Sequence, residues 1–315
     1  MTGRGEEAAT LEALRLADAM QPVPEAVMAA AGAAAGRFGD AVDSVIFYGS
    51  VLRDGAFEDR ILDFYVVVSG YRAAYGGLPA AMANRILPPN VYYVEADLPS
   101  GGTVRSKVAV ISRRHLDVLT GSGTFNSTLW ARFVQPVRLA MVADDAAADR
   151  AARAFAQSVR TLARSILPLL PAEFSSRTFW NLAFANTYRA ELRAERQGKG
   201  VEIYDLNRDY FDSVFSLLAH EMNLEHENGL YHRHPSGAPM AARMAWLLRR
   251  VQGKALTVLR LVKAAFTFDG GADYLAWKIS RHSGVAIHLT PWQRRHPVLG
   301  GVSLFIRLWR QRAFR

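Results

Sequence analysis

The stretch VIFYGSVLRDGAFEDRILDFYVVV, Val45 to Val68, decides how this chain is read. Two apolar runs rich in β-branched and aromatic residues flank a polar loop, which is the pattern of two neighbouring strands. A Gly49-Ser50 corner closes the first run, and a single carboxylate, Asp63, interrupts the second. A half-buried strand carries a carboxylate at a cost, so the aspartate and the corner before it ask for a reason.

A strand ending in Gly-Ser, a short helix or loop, and then a strand bearing aspartate is the layout of a nucleotidyltransferase core. The chemistry explains the residue types. Glycine lets the backbone approach a triphosphate, and a serine hydroxyl with adjacent N–H groups donates to phosphate oxygens. An aspartate on the next strand can hold Mg²⁺ (or Mn²⁺) against the same phosphates. Tyr48, Gly49 and Ser50 are therefore the expected nucleotide-binding residues, and Asp63 the expected metal ligand. Many such cores carry two carboxylates two residues apart, and here Tyr65 holds the second position. Glu58, Asp59, Glu95 or Asp97 could add a ligand, and the sequence does not choose among them. The plainer reading is an ordinary hairpin with a surface aspartate.

Around this stretch, strands are expected at Ser44–Tyr48, Ile61–Val68, Val91–Ala96 and Val104–Ile111. Helices are expected near Ala8–Met20 and Pro24–Phe38, and over Tyr71–Ile86 despite Gly76-Gly77 and Pro79. From Asp144 the pattern turns helical, with candidates at Asp145–Leu167, Ser176–Arg196, Asn207–Met222 and Ala241–Phe268. The expected class is α/β (α+β): a mixed sheet with helices over 1–142, a mainly helical domain over 143–240, and a basic region over 241–315. The last region would end in an amphipathic helix at 301–314.

Half of the 315 residues are hydrophobic and 21% are charged, a composition suited to a folded protein with a sizeable core. There is no cysteine, which excludes disulfides and thiolate zinc sites. The first 20 residues carry acids where a signal peptide needs bases, and no apolar run reaches the roughly 20 residues of a membrane span. The expectation is a cytoplasmic protein, peripheral on the inner face of the membrane. The net charge of +9 is unevenly placed: residues 241–315 hold 14 Lys and Arg against two acids, while residues 1–240 hold 24 against 27. A near-neutral body with a strongly basic end points to a polyanion met at that end.

More of the chain carries a specific resemblance. FYGSV and ILDFYVVV, with one aspartate, are joined by VYYVEADL (Val91–Leu98), VRSKVAVIS with Lys107, and STLWARFVQPVRL with Arg132 and Pro136. LLPAEFSSRTFWNLAFANTYRAELRAE follows, with Thr187, Tyr188, Glu191 and Arg193, and then VKAAFTFDGGADYLAWKISR with Lys263, Phe266 and Thr267. Running collinearly from about residue 40 to 282, these segments resemble the mitochondrial-type, peripheral phosphatidate cytidylyltransferases. The resemblance implies transfer of CMP from CTP to phosphatidic acid, giving CDP-diacylglycerol and pyrophosphate. It implies catalytic roles for Asp63, Ser50 and Lys107, and nucleotide contacts from Tyr188, Glu191 and Arg193. Glu191 stands where the family has aspartate. Read alone, Lys107 is a snorkelling edge lysine, and RAELRAER is a solvated helix face of intrahelical pairs.

The implied reaction suits a site with few carboxylates. A phosphate monoester has a second pKa near ~6, so the attacking oxygen is already ionised and needs no general base. What the site needs is cationic charge to bring two polyanions together. The rival readings are a nucleotidyltransferase with another acceptor (lipid, nucleic acid or protein) and an inactive membrane- or nucleic-acid-binding module.

In GGVSLFIRLWRQRAFR, Val302, Phe305, Ile306 and Trp309 follow the spacing of one helical face, flanked by Arg307, Arg310, Arg312 and Arg315. That composition fits an interfacial helix on an anionic membrane surface, with Lys263, Phe305, Arg307, Trp309 and Arg310 as expected lipid contacts. The alternative is a helix docked on the protein's own core. A nucleic-acid partner is not expected, because aromatic residues are not clearly interleaved on strands or on a reading helix. HEMNLEHENGLYHRH holds four histidines, but not at zinc-protease spacing, and reads as a polar surface loop.

Overall fold

The structure, a computed structural model, describes residues 10–55, 60–99, 101–190, 199–233, 239–267 and 290–291. Five strands form one mixed sheet: β1 (Val42–Tyr48), β2 (Ile61–Val68), β3 (Asn90–Asp97), β4 (Thr103–Ser112) and β5 (Arg138–Val142). Their order is β3-β4-β2-β1-β5, with β2 and β4 parallel and every other neighbouring pair antiparallel. The four expected strands are present, β2 with the expected ends. The mixed α/β class is the one the sequence predicts.

The sheet is covered on both faces, as its strand composition requires. Helices α1 (Leu11–Ala19) and α2 (Glu25–Gly36) precede it. Val45, Phe47, Leu62, Phe64, Val66, Val108 and Val110 alternate onto one face and pack against the alanines of α2. Ile46, Tyr65, Val67, Ala109 and Ile111 take the other face. Between strands lie α3 (Ser50–Asp54), α4 (Tyr71–Tyr75), α5 (Leu78–Ile86), α6 (Arg113–Thr120) and α7 (Trp130–Phe133). The single helix expected over 71–86 is in fact two. It breaks at Gly76-Gly77, where Gly76 ends α4 in the left-handed conformation and Pro79 opens α5.

Helix α8 (Asp145–Ile166) ties the sheet to the helical part. Its N-terminus is capped by the Asp144 carboxylate, which accepts from the Ala147 N–H at 2.7 Å. Ala148, Ala151 and Phe155 pack on the sheet, whereas Val159, Leu162 and Ile166 enter a second cluster with α9 (Ser176–Ala190). Helices α10 (Lys199–Leu206), α11 (Arg208–Glu221) and α12 (Pro239–Thr267) complete that cluster. Residue 142 is the end of β5, and α1 crosses back to pack on α8 and α11.

Two contacts seat the long α12. Trp246 is 1% exposed, donates its indole N–H to the Ser165 carbonyl at 2.9 Å, and meets Trp130 edge-on at 6.2 Å. About two turns further on, Gly253 lies directly against the Ala190 backbone. A second sheet, in the order β6-β8-β7, joins β6 (Glu173–Phe174) to a hairpin of β7 (Glu225–Glu227) and β8 (Leu230–His232). Most of the histidine-rich stretch expected as a loop is this hairpin, turned by Asn228-Gly229 with both residues at positive φ; His220 lies in α11, and His234 is outside the described residues. No helix among the described residues is long and apolar enough to cross a membrane. The expected helix at 301–314 lies outside the described residues.

Candidate functional site

The Gly49-Ser50 corner and Asp63 meet in space because of strand register. Tyr48 pairs with Asp63 across β1 and β2, Asp63 with Lys107 across β2 and β4, and Lys107 with Tyr93 across β3 and β4. Residues directly opposite in a sheet project from the same face with Cα atoms about 5 Å apart. Tyr48, Asp63, Lys107 and Tyr93 therefore form one row across four strands. Asp63 is half-buried and Lys107 is exposed, so the row sits where the covered face opens to solvent.

Gly49 is what lets the corner close on the carboxylate. Its backbone takes φ 104° and ψ −165°, a region open essentially to glycine alone. A Cβ built there would lie 2.9 Å from Asp63 Oδ2 and 3.4 Å from Asp63 Cβ. The hydrogen of Gly49 is thus all that separates the backbone from the carboxylate. The shape explains both features that single out this stretch of sequence: the aspartate faces a cradle, and only glycine leaves the cradle open.

Ser50 begins α3 beside this cradle and accepts from Arg60 Nη2 at 2.9 Å. Arg60 was not among the residues expected from the sequence. It is the last loop residue before β2, and nothing in its spacing marks it. Because the guanidinium can only donate, the Ser50 hydroxyl keeps its own proton for another acceptor. Arg53 of the same helix donates to Gln135 Oε1 at 2.8 Å, which holds α3 against the chain entering β5.

The position two residues after Asp63 is a core position. The Tyr65 ring lies 5.0 Å from that of Tyr48 and 5.4 Å from that of Phe133, under the helices, where a carboxylate would be stranded. The other acids separate as follows. Glu95 accepts from the Tyr93 hydroxyl at 2.7 Å and from Arg105 Nε at 3.2 Å. It stands two strands over and two residues along from Asp63, about 12 Å away by sheet geometry. Asp97 accepts from Thr103 at 3.2 Å. Glu58 and Asp59 lie outside the described residues. Burial, helped by the neighbouring Glu95 carboxylate, raises the pKa of the Tyr93 hydroxyl well above the usual tyrosine range.

Among the described residues no group of three His, Asp or Glu side chains is arranged to hold a metal ion. One carboxylate against an open backbone cradle still fits Mg²⁺, which keeps several waters and takes one or two carboxylates together with substrate phosphates. The room for the group lies beside the Asp63 carboxylate, where Gly49 has no side chain.

The remaining expected residues are spread more widely. Tyr188 is half-buried on α9 and packs on the helical cluster, which approaches the corner through contacts between α10 and α3. Glu191 and Arg193 lie outside the described residues, as do Phe305, Arg307, Trp309 and Arg310. Lys263 sits at the end of α12 nearest β3, where its ammonium donates to the Leu87 carbonyl and, at 2.9 Å, to that of Pro89. Burial, with Arg260 beside it, pulls the Lys263 pKa down to about 8. Compared with known proteins, the chain matches no family model and no curated protein.

Proposed function

We propose that this chain transfers CMP from CTP to phosphatidic acid at the Gly49–Asp63 corner, giving CDP-diacylglycerol and pyrophosphate. The observation that carries the reading is the fit of Gly49 over Asp63: a backbone held in a glycine-only conformation, with the carboxylate where a side chain would stand. An ordinary hairpin has no need of either. The sequence resemblance supplies the two substrates.

In the reaction a phosphatidate phosphate oxygen bonds to the α-phosphorus of CTP as the bond to the β-phosphate oxygen breaks. Asp63 would hold Mg²⁺, which when bound offsets the charge gathering on the departing pyrophosphate. Ser50 directs its hydroxyl proton to a phosphate oxygen while Arg60 fills its lone pair and adds positive charge. Lys107, next to Asp63 in the row and exposed, offers a second cation to the incoming phosphate. No side chain has to take a proton from the nucleophile, which agrees with a site whose second carboxylate position is filled by Tyr65.

The test is incorporation of label from CTP carrying it on the α-phosphate into phosphatidic acid in detergent micelles. The reading predicts lipid-soluble label with Mg²⁺ and none with Asp63→Asn. Label that stays in the aqueous phase under every condition would refute it.

A further inference from the structure

At the far end of the same sheet lies a cavity of about 680 Å³, a size that holds a small organic ligand. It opens where β2 and β4 end, five residues beyond Asp63, which is about 17 Å along the strand. Ser69 and Ser112 form its base, and α4, α5 and α6 its walls. The lining contains Arg72, Arg85 and Arg114 and no carboxylate at all. Among the described residues these arginines form no ion pair, whereas most arginines elsewhere near the sheet are matched: Arg113 and Arg150 to Asp43, Arg138 to Asp18, Arg105 to Glu95.

The inner wall is polar and fixed. The Tyr71 hydroxyl lies 2.6 Å from His115 Nδ1. Burial, then Arg114 and Arg85, hold the imidazole pKa below its usual 6.5, so at neutral pH the ring is uncharged and shares one hydrogen bond with the phenol. Three guanidiniums around one concavity are the complement of a phosphate group.

The rim is apolar and exposed. Leu78, Met82 and Ile86 stand at i, i+4 and i+8 on α5, and are 56%, 52% and 78% exposed. Val118 of α6, 53% exposed, faces the same opening. A soluble phosphate would need only the arginines. A stripe of large apolar side chains above a cationic cavity matches a ligand that is anionic at its head and apolar beyond it. We propose that this cavity is a second phosphate site, which seats the headgroup of an anionic phospholipid while Leu78, Met82 and Ile86 enter the acyl boundary of the bilayer. The assignment does not depend on the transfer reaction, since it lies at the opposite end of the sheet from Asp63.

The experiment uses the full chain, whose lack of cysteine allows a single label. Met82→Cys carries an environment-sensitive fluorophore, with Ser213→Cys, at an exposed position of α11, as the reference. Each is mixed with vesicles of phosphatidylcholine alone, or of phosphatidylcholine with phosphatidic acid. The expected result is a blue shift at position 82, not at 213, only with the anionic vesicles. Replacing Arg72, Arg85 and Arg114 by Gln should weaken vesicle partition about fivefold per cation, roughly 150-fold for the three. Far-UV dichroism checks that the triple variant is folded. The label at Met82 tests the surface in a chain with all three arginines. An unshifted label on vesicles that the chain binds would overturn the proposal. So would unchanged partition of the triple variant, or a response to inorganic phosphate matched by none to vesicles. Because partition and emission are read rather than turnover, a chain that failed to transfer CMP would leave this test intact.

Discussion

Gly49→Ala is the sharpest perturbation of the corner. Two costs can be worked out separately. The backbone at φ 104° and ψ −165° is nearly forbidden to alanine, which costs about 1–3 kcal/mol. The new methyl would stand 2.9 Å from Asp63 Oδ2, so the carboxylate must swing off its preferred rotamer, at about 0.5–1.5 kcal/mol. Together these predict a loss of about 2–4 kcal/mol, or roughly 5–15 °C in Tm for a unit of this size. The assay is denaturant unfolding of wild type, Gly49→Ala, Asp63→Ala and the double variant. The contact part should vanish in the Asp63→Ala background, leaving a coupling of about 1 kcal/mol, while the backbone part should remain. A Gly49→Ala cost below about 0.5 kcal/mol would refute the reasoning, and so would identical costs in both backgrounds.

Three further outcomes follow from other contacts. Gly253→Ala should destabilise by about 2–3 kcal/mol in denaturant unfolding, because its Cβ would fall 2.0 Å from the Ala190 carbonyl oxygen. That overlap outweighs the roughly 1 kcal/mol that alanine gains over glycine in a free helix, so a stabilised variant would contradict the packing of α9 on α12. Arg160 donates to both Glu12 (2.6 and 3.1 Å) and Glu221 (2.7 and 2.8 Å), and its hydrogen bond holds the Glu12 carboxyl below its usual 4.5. A carboxyl depressed in the folded state stabilises above its unfolded pKa and loses that effect as pH falls through the folded value. Arg160→Met should thus cost about 1 kcal/mol at neutral pH, and unfolding curves should converge with wild type as pH drops below 4.5. Arg60→Gln, which removes the donor to Ser50, should raise the KM for CTP about 10- to 100-fold, with a smaller change in kcat.

Much of the fold is legible in the sequence for a simple reason. Strands β1, β2 and β4 are covered on both faces, so they read as apolar runs, and the turn residues at their ends are unambiguous. Strand β5 is not legible, because it has only five residues and follows the four-residue α7 and Pro136 so closely that no alternation can be read. The β7–β8 hairpin escapes because its strands have three residues each and are largely exposed, leaving no alternation to read. Its Asn-Gly turn is the signal that would have found it.

The candidate site divides in the same way. Gly49, Ser50 and Asp63 stand out as residue types out of place, but only register shows that the glycine lies on the carboxylate and that Lys107 is its neighbour. Arg60 is one of several charges in a polar loop, and no spacing rule separates it from Arg53. The cavity beyond β2 is invisible in one dimension. Arg72, Arg85 and Arg114 are scattered over three helices, and only the fold shows that no acid accompanies them.

The claim at the centre is that the Gly49–Asp63 corner holds a nucleoside triphosphate through a metal on one carboxylate. Calorimetric titration of the chain with CTP, in the presence and absence of Mg²⁺, tests it without any acceptor lipid. The account predicts binding that requires Mg²⁺, is lost in Asp63→Asn and is weakened in Arg60→Gln. Binding of equal strength without Mg²⁺, or unchanged in Asp63→Asn, would contradict it.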